Sequence, residues 1–206
     1  MYAVSLLVAL ACQPAERVPE RVEDTEPGDV AGMADPASAE ASAELARARD
    51  AEIQAIGEEE DARARLQAAR ADVSAAEEEI RAAEANRDQD RLEDARALLT
   101  RRKAQEEGAE ALVRWKELER VAATASLTAA RAGLDVRRSE HELDRLDEVR
   151  SRGQDAGYTR SDFLEQLADN QRRWEDAQEE VAQARIDADE ARTTWMRVRG
   201  EIASEP

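Results

Sequence analysis

From about position 36 onward the apolar residues recur at alternating steps of four and three. Ala62, Leu66, Ala69, Val73, Ala76, Ile80 and Ala83 form one such line, with alanine at every other place. A second runs Ala111, Trp115, Leu118, Ala122, Ala125, Ala129, Ala132, Val136, Ser139, Leu143, Leu146. A third runs Phe163, Leu167, Asn170, Trp174, Ala177, Val181, Ala184, Ala188, Ala191, Trp195, Val198, Ile202. Steps of four and three put every member of a line on one helix stripe, the seam of a coiled coil, and small residues on it allow close approach of a neighbouring helix. Between Pro36 and the terminal Pro206 there is no proline, so long uninterrupted helices are permitted.

Asp35-Pro36 reads as an N-cap followed by proline at the first helical position, where its missing N–H costs nothing. Between the second and third seams lies SRGQDAGYTRSDF. Arg150 and Arg152 suit a helix C-terminus, Gly153 suits the left-handed position after it, and Gly157 permits a turn. Thr159 and Asp162 have capping-box spacing, with Tyr158 and Phe163 placed as its hydrophobic staple. Folding the arms back about this tip opposes Leu146 and Phe163, Ser139 and Asn170, Val136 and Trp174, Ala129 and Val181, and Trp115 and Trp195. Ser139 and Asn170 would then form one polar layer, which costs stability while selecting register.

The expected fold is therefore all-α, a long antiparallel coiled-coil hairpin. The segment Ala85 to Asp90 breaks the first seam: if it turns, the molecule is a three-helix elongated bundle, and if it does not, one helix runs for roughly 170 Å at 1.5 Å per residue. The expected domains are 1–11 as a signal peptide, 12–34 as an acidic Pro/Gly-rich linker, 35–107 as an N-terminal coiled-coil helix, and 108–203 as the hairpin with its tip at 151–161.

Composition alone argues the other way. Leu, Ile, Val and Phe number 34 of 206 residues and the net charge is −18, a combination typical of disorder. The sustained heptads outweigh it, because a two-helix seam needs far fewer apolar residues than a globular core. The acidic balance, 48 Asp and Glu against 30 Lys and Arg, leaves no basic face for phosphates, so no nucleic-acid partner is expected.

Catalytic chemistry finds no foothold in the sequence. His141, the only histidine, opens HELDR, which has Arg145 where the second ligand of a zinc-protease motif would stand. With one cysteine, soft ligands are too few for a transition-metal site, so no metal or cofactor is expected. The runs Glu58-Glu59-Glu60 and Glu77-Glu78-Glu79 read as solvated helix faces, and no phosphate loop or nucleophile elbow appears, so no catalytic residue is assigned. Trp115, Trp174 and Trp195 lie on seams and read as core.

The N-terminus carries the one specific motif. An apolar run from Ala3 to Ala11, too short to span a bilayer, ends at Cys12, the only cysteine. Ala9-Leu10-Ala11-Cys12 resembles the lipobox of bacterial lipoproteins, which implies lipidation of Cys12 and a lipid anchor in the membrane. Gln13 after that cysteine, by resemblance to enteric lipoproteins, implies the outer membrane, with the chain facing the periplasm. The chain ends EIASEP, without the terminal lysine of the Braun type, so covalent peptidoglycan attachment is not expected.

A leader, a lone cysteine, an acidic tether and Ala/Arg/Glu-rich helices together resemble the uncharacterised coiled-coil lipoproteins of Gram-negative bacteria. That family implies a tether, spacer or scaffold in the cell envelope, with a protein partner there and homo-oligomers open to it. More locally, LDRLDEVRSRGQDAGYTRSDFLEQLADNQ resembles the α-hairpin tip of periplasmic efflux adaptors, with Arg145, Val149 and Thr159 at the corresponding places. This resemblance implies docking on an outer-membrane channel, although the β-rich flanking domains of adaptors have no counterpart here. A third reading, a periplasmic enzyme or sugar-binding module, would require a globular domain.

Overall fold

A computed structural model describes residues 36–153, 157 and 159–204; Asp35, Cys12 with its leader and linker, and Tyr158 lie outside the described residues. The protein is all-α, with three helices: α1 (Pro36–Asn86), α2 (Gln89–Ser151) and α3 (Arg160–Ser204). At 1.5 Å per residue the 63-residue α2 is about 95 Å long.

The segment 85–90 turns. Helix α1 closes with the N–H of Asp88 bonded to the Ala83 carbonyl and that of Arg87 to the Glu84 carbonyl, at 3.1 Å each. These are the paired bonds of a Schellman motif, whose left-handed position is taken here by Arg87 at φ 58° rather than by glycine. Asp88 then caps α2, its carboxylate accepting from the Arg91 N–H at 3.2 Å. Two residues thus reverse the chain, the turning one of the two alternatives the sequence leaves open, and the stretch assigned to an N-terminal coiled-coil helix is shared between α1 and the first turns of α2. The expected boundary at 107/108 falls inside α2. Gly108 does not break that helix: a Cβ there would lie 2.8 Å from Ile202 Cδ1, so the glycine makes room for α3 to press on the α2 backbone.

Helix α2 is the central element. Both α1 and α3 pack antiparallel along it, and no Cα of α1 comes within 8 Å of one in α3. Two stripes on α2 serve the two neighbours. Toward α3 lie Ala129, Val136, Ser139 and Leu146, facing buried Phe163, Ala177, Val181, Ala184, Ala188 and Val198. Ala129, Ala177 and Val181 form one contact cluster with Ala125 against it. Toward α1 lies a second stripe, whose buried members Leu92, Ala95, Val113, Leu127, Ala130 and Leu134 face Ala62, Val73, Ala76 and Ala83.

The overlap is staggered. Ala41 and Glu44 of α1 share a groove with Arg137 and Glu140, so α1 starts about one turn further on, near His141. Past that level, among the described residues, α2 and α3 alone remain paired, as a two-helix projection toward the tip. At the other end α3 stops near Gly108, and the first turns of α2 pack against α1 alone.

Candidate functional site

Midway along the overlap a polar and aromatic band crosses all three helices. Continued toward the N-terminus by heptad steps, the α1 seam passes from Ala62 to Glu59, Ala55 and Glu52. Glu59 is therefore a core position held by a carboxylate, and it is 3 % exposed. An unpaired charge there would be prohibitive. Arg63 meets it at 2.5 Å, and Arg120 of α2 donates its Nε–H to the other oxygen. Arg63 also reaches Glu117 at 3.2 Å.

One turn away Lys116 extends the band toward α3. Its Nζ donates to Glu58 and Glu119 at 2.6 Å each, and it stands 4.0 Å over the centre of the Trp115 ring. Trp115 stacks on Trp195 with centroids 4.8 Å apart and planes at 30°. Arg192 approaches the Trp115 ring at 5.8 Å and Arg199 the Trp195 ring at 5.3 Å, a cationic border around the aromatic pair. The chain of contacts runs Glu58, Lys116, Trp115, Trp195, linking α1 to α3 through α2.

The hydrogen bond from Lys116, and then that from Gln54, hold the Glu58 carboxyl below its usual range. For Lys116, burial pushes the ammonium down, but the hydrogen bonds to Glu119 and Glu58 outweigh it and leave the net shift upward. Both groups stay charged at neutral pH, the wrong poise for proton transfer and the right one for a clamp. The band can lock the axial register of three helices.

Nearer the tip, the Ser139–Asn170 layer is a hydrogen bond: Asn170 Nδ2 donates to Ser139 Oγ at 2.8 Å, and that hydroxyl donates to the Asp135 carbonyl at 3.1 Å. At the tip itself the Thr159 N–H donates to the Asp162 carboxylate at 3.3 Å and the Asp162 N–H lies 3.4 Å from the Thr159 hydroxyl, a reciprocal capping box. Gly153 at φ 75° and Gly157 at φ 68° occupy the left-handed region. Arg160 braces the projection through Asp147 at 3.1 Å.

Trp174 departs from expectation. It is 40 % exposed rather than core: its indole lies across Gly133, one turn from the opposing Val136, with Nε1 3.3 Å from where a glycine Cβ would be. The bare backbone at Gly133 offers the large ring a place to lie beside the seam, and the ring tips to the rim.

The Glu59–Arg120 and Glu58–Lys116 pairs were not anticipated from sequence. The signal was available: heptad extension of the first seam lands on Glu59, and Leu92, Ala95, Leu99, Arg102, Glu106, Ala109, Val113, Lys116 and Arg120 make a further line of alternating steps on α2. Charges within that line conceal it from a search for apolar residues.

No family model matches this chain, and no curated protein or solved structure matches it either. None of the described helices is long and apolar enough to cross a membrane. The fold and the chemistry of the chain's own side chains are thus the basis for a functional reading.

Proposed function

We propose that the chain is a non-enzymatic lipoprotein of the bacterial cell envelope, anchored in the outer membrane by a lipid on Cys12 and facing the periplasm, where it acts as an elongated coiled-coil tether, spacer or scaffold. The observation that carries this reading is the placement of the only cysteine at the end of a short apolar run, ahead of a Pro/Gly-rich stretch and three long helices. Rods of stacked helices expose their whole length to partners, and the mid-length clamp suits a spacer by keeping that length constant. Replacing Cys12 by serine in cells is expected to release the protein to the soluble periplasm or leave an unprocessed precursor. Wild type that takes up no labelled lipid would contradict the anchor.

A second reading is favoured by one feature, the two-helix projection beyond the start of α1. A narrow, braced, capped hairpin end is a shape that docks into the mouth of an outer-membrane channel, as the resemblance of Arg145, Val149 and Thr159 to an efflux-adaptor tip implies. A photo-crosslinker at position 158 is expected to capture a channel protein under this reading, and proteins along the rod but none at the tip under the first.

A further inference from the structure

The overlap of three helices leaves a groove between the two seams of α2, bordered by members of both. It has a volume of about 450 Å³ and opens where the N-terminal turns of α1, the middle of α2 and α3 run side by side. Its floor is apolar and low, made by Ala130, Gly133 and Val136 of α2. Along that face Ser126, Gly133 and Glu140 stand seven residues apart and half-buried, between the stripe that meets α1 and the stripe that meets α3. Trp174 forms one wall, its indole held over the Gly133 backbone and its N–H without a hydrogen-bond partner among the described residues.

The charge around this floor is specific in placement. Glu44 on the α1 side and Glu175 on the α3 side both line the groove, both are exposed, and neither has an ion-pair partner among the described residues. The other two charges, Arg137 and Glu140, pair with each other at 2.8 Å. An exposed tryptophan face, a floor of small side chains and one free carboxylate on each bank match a helix that is apolar along one stripe and cationic on both flanks.

We propose that this groove is the docking site for a basic amphipathic helix of a partner protein. Small floor residues let its backbone approach α2, an apolar side chain seats beside Trp174, and Lys or Arg on its two flanks reach Glu44 and Glu175. A second copy of this chain is the poorer occupant, since each copy carries a net charge of −18. None of the groove's lining residues takes part in the proposed lipidation at Cys12, so the two readings can fail separately.

The test is calorimetric titration of the full chain with an amphipathic Leu/Lys model peptide of about 18 residues, five helical turns, at physiological salt. One peptide per chain is expected. The double variant Glu44→Gln/Glu175→Gln should weaken binding about tenfold, the scale of two charge contacts. Asp187→Asn/Glu190→Gln, which removes the same charge from a different groove between α2 and α3, should change it less than about twofold. Gly133→Leu, which fills the floor with a better helix former, should abolish binding with the circular dichroism spectrum retained. Equal weakening by both double variants, several peptides per chain, or unchanged binding to Gly133→Leu would overturn the site. So would a peptide-free dimer that Glu44→Gln/Glu175→Gln dissolves, since the occupant would then be a second copy.

Discussion

Arg87 is the residue whose conformation is out of keeping with its type. It holds the left-handed position that closes α1, at φ 58°, where any side chain with a Cβ is strained by about 1 kcal/mol and glycine is not. Arg87→Gly is expected to stabilise the protein by about 1 kcal/mol in urea unfolding, and a loss of stability would mean that Arg87 contributes contacts which outweigh its strain. At the core position Glu59, removing one of two cationic partners leaves the other in place. Arg120→Ala is therefore expected to cost about 1.5–3 kcal/mol, the range of a charged hydrogen bond, and no measurable cost would mean that Arg63 alone satisfies the carboxylate. Lys116 and Glu58 set a pH window. Glu58 has a native pKa below its ordinary 4.5, so its stabilising contribution is present above that value and is lost as pH falls through the native one. Lys116 has a native pKa above 10.5, so its contribution is present below that value and is lost as pH rises through the native one. The difference in melting temperature between wild type and Lys116→Met should accordingly be flat between these limits and shrink on both sides. A difference that is the same at every pH would contradict the pairing.

The two faces of α2 hold their neighbours by different physics. Against α1 stand ion pairs across the interface: Arg63 with Glu117, Arg70 with Glu106 and Glu110, Arg102 with Asp72, and Lys116 and Arg120 with Glu58 and Glu59. Against α3 stand the tryptophan stack, an alanine and valine seam and, among the described residues, the ion pair of Arg160 with Asp147. Raising salt from about 0.15 M to 1 M shortens the screening length from roughly 8 Å to 3 Å and leaves apolar contacts intact. Amide hydrogen exchange is expected to speed up along α1 and stay slow along the middle of α3; uniform acceleration would refute the contrast. This asymmetry also explains what the sequence revealed. The α2–α3 seam is nearly all apolar or alanine, so its period, its tip and its Ser139–Asn170 layer were legible. The α1–α2 interface is interrupted on α2 by Arg102, Glu106, Lys116 and Arg120, so its period does not show in the apolar residues alone. The turn at 87–88 carries no clear signal for the same kind of reason: its left-handed position holds arginine, and the usual glycine is missing. Trp174 departs from its seam reading because the period does not show that a glycine one turn from its partner lets a large ring tip out of the seam.

Taken together, the three helices form a staggered rod, one central helix flanked on separate sides by two antiparallel partners and stapled at mid-length by the charged and aromatic band. The polar layer near the tip guards register. Asn170→Leu should raise the melting temperature by a few degrees, because Ser139 keeps its bond to the Asp135 carbonyl and an apolar residue joins the seam, while alternative registers become accessible. A lower melting temperature would remove Asn170 from the seam. The hairpin, its projecting tip and the mid-length band all depend on α2 and α3 pairing within one chain rather than between chains. Ser139 and Asn170 face each other across that seam, their side-chain tips 2.8 Å apart. Cysteines at both positions, in a chain carrying Cys12→Ser, are close enough to bridge on mild oxidation. The account predicts an intramolecular disulfide, seen as a reducible shift of the monomer in denaturing electrophoresis with no dimer; disulfides formed only between chains, or none at all, would contradict it.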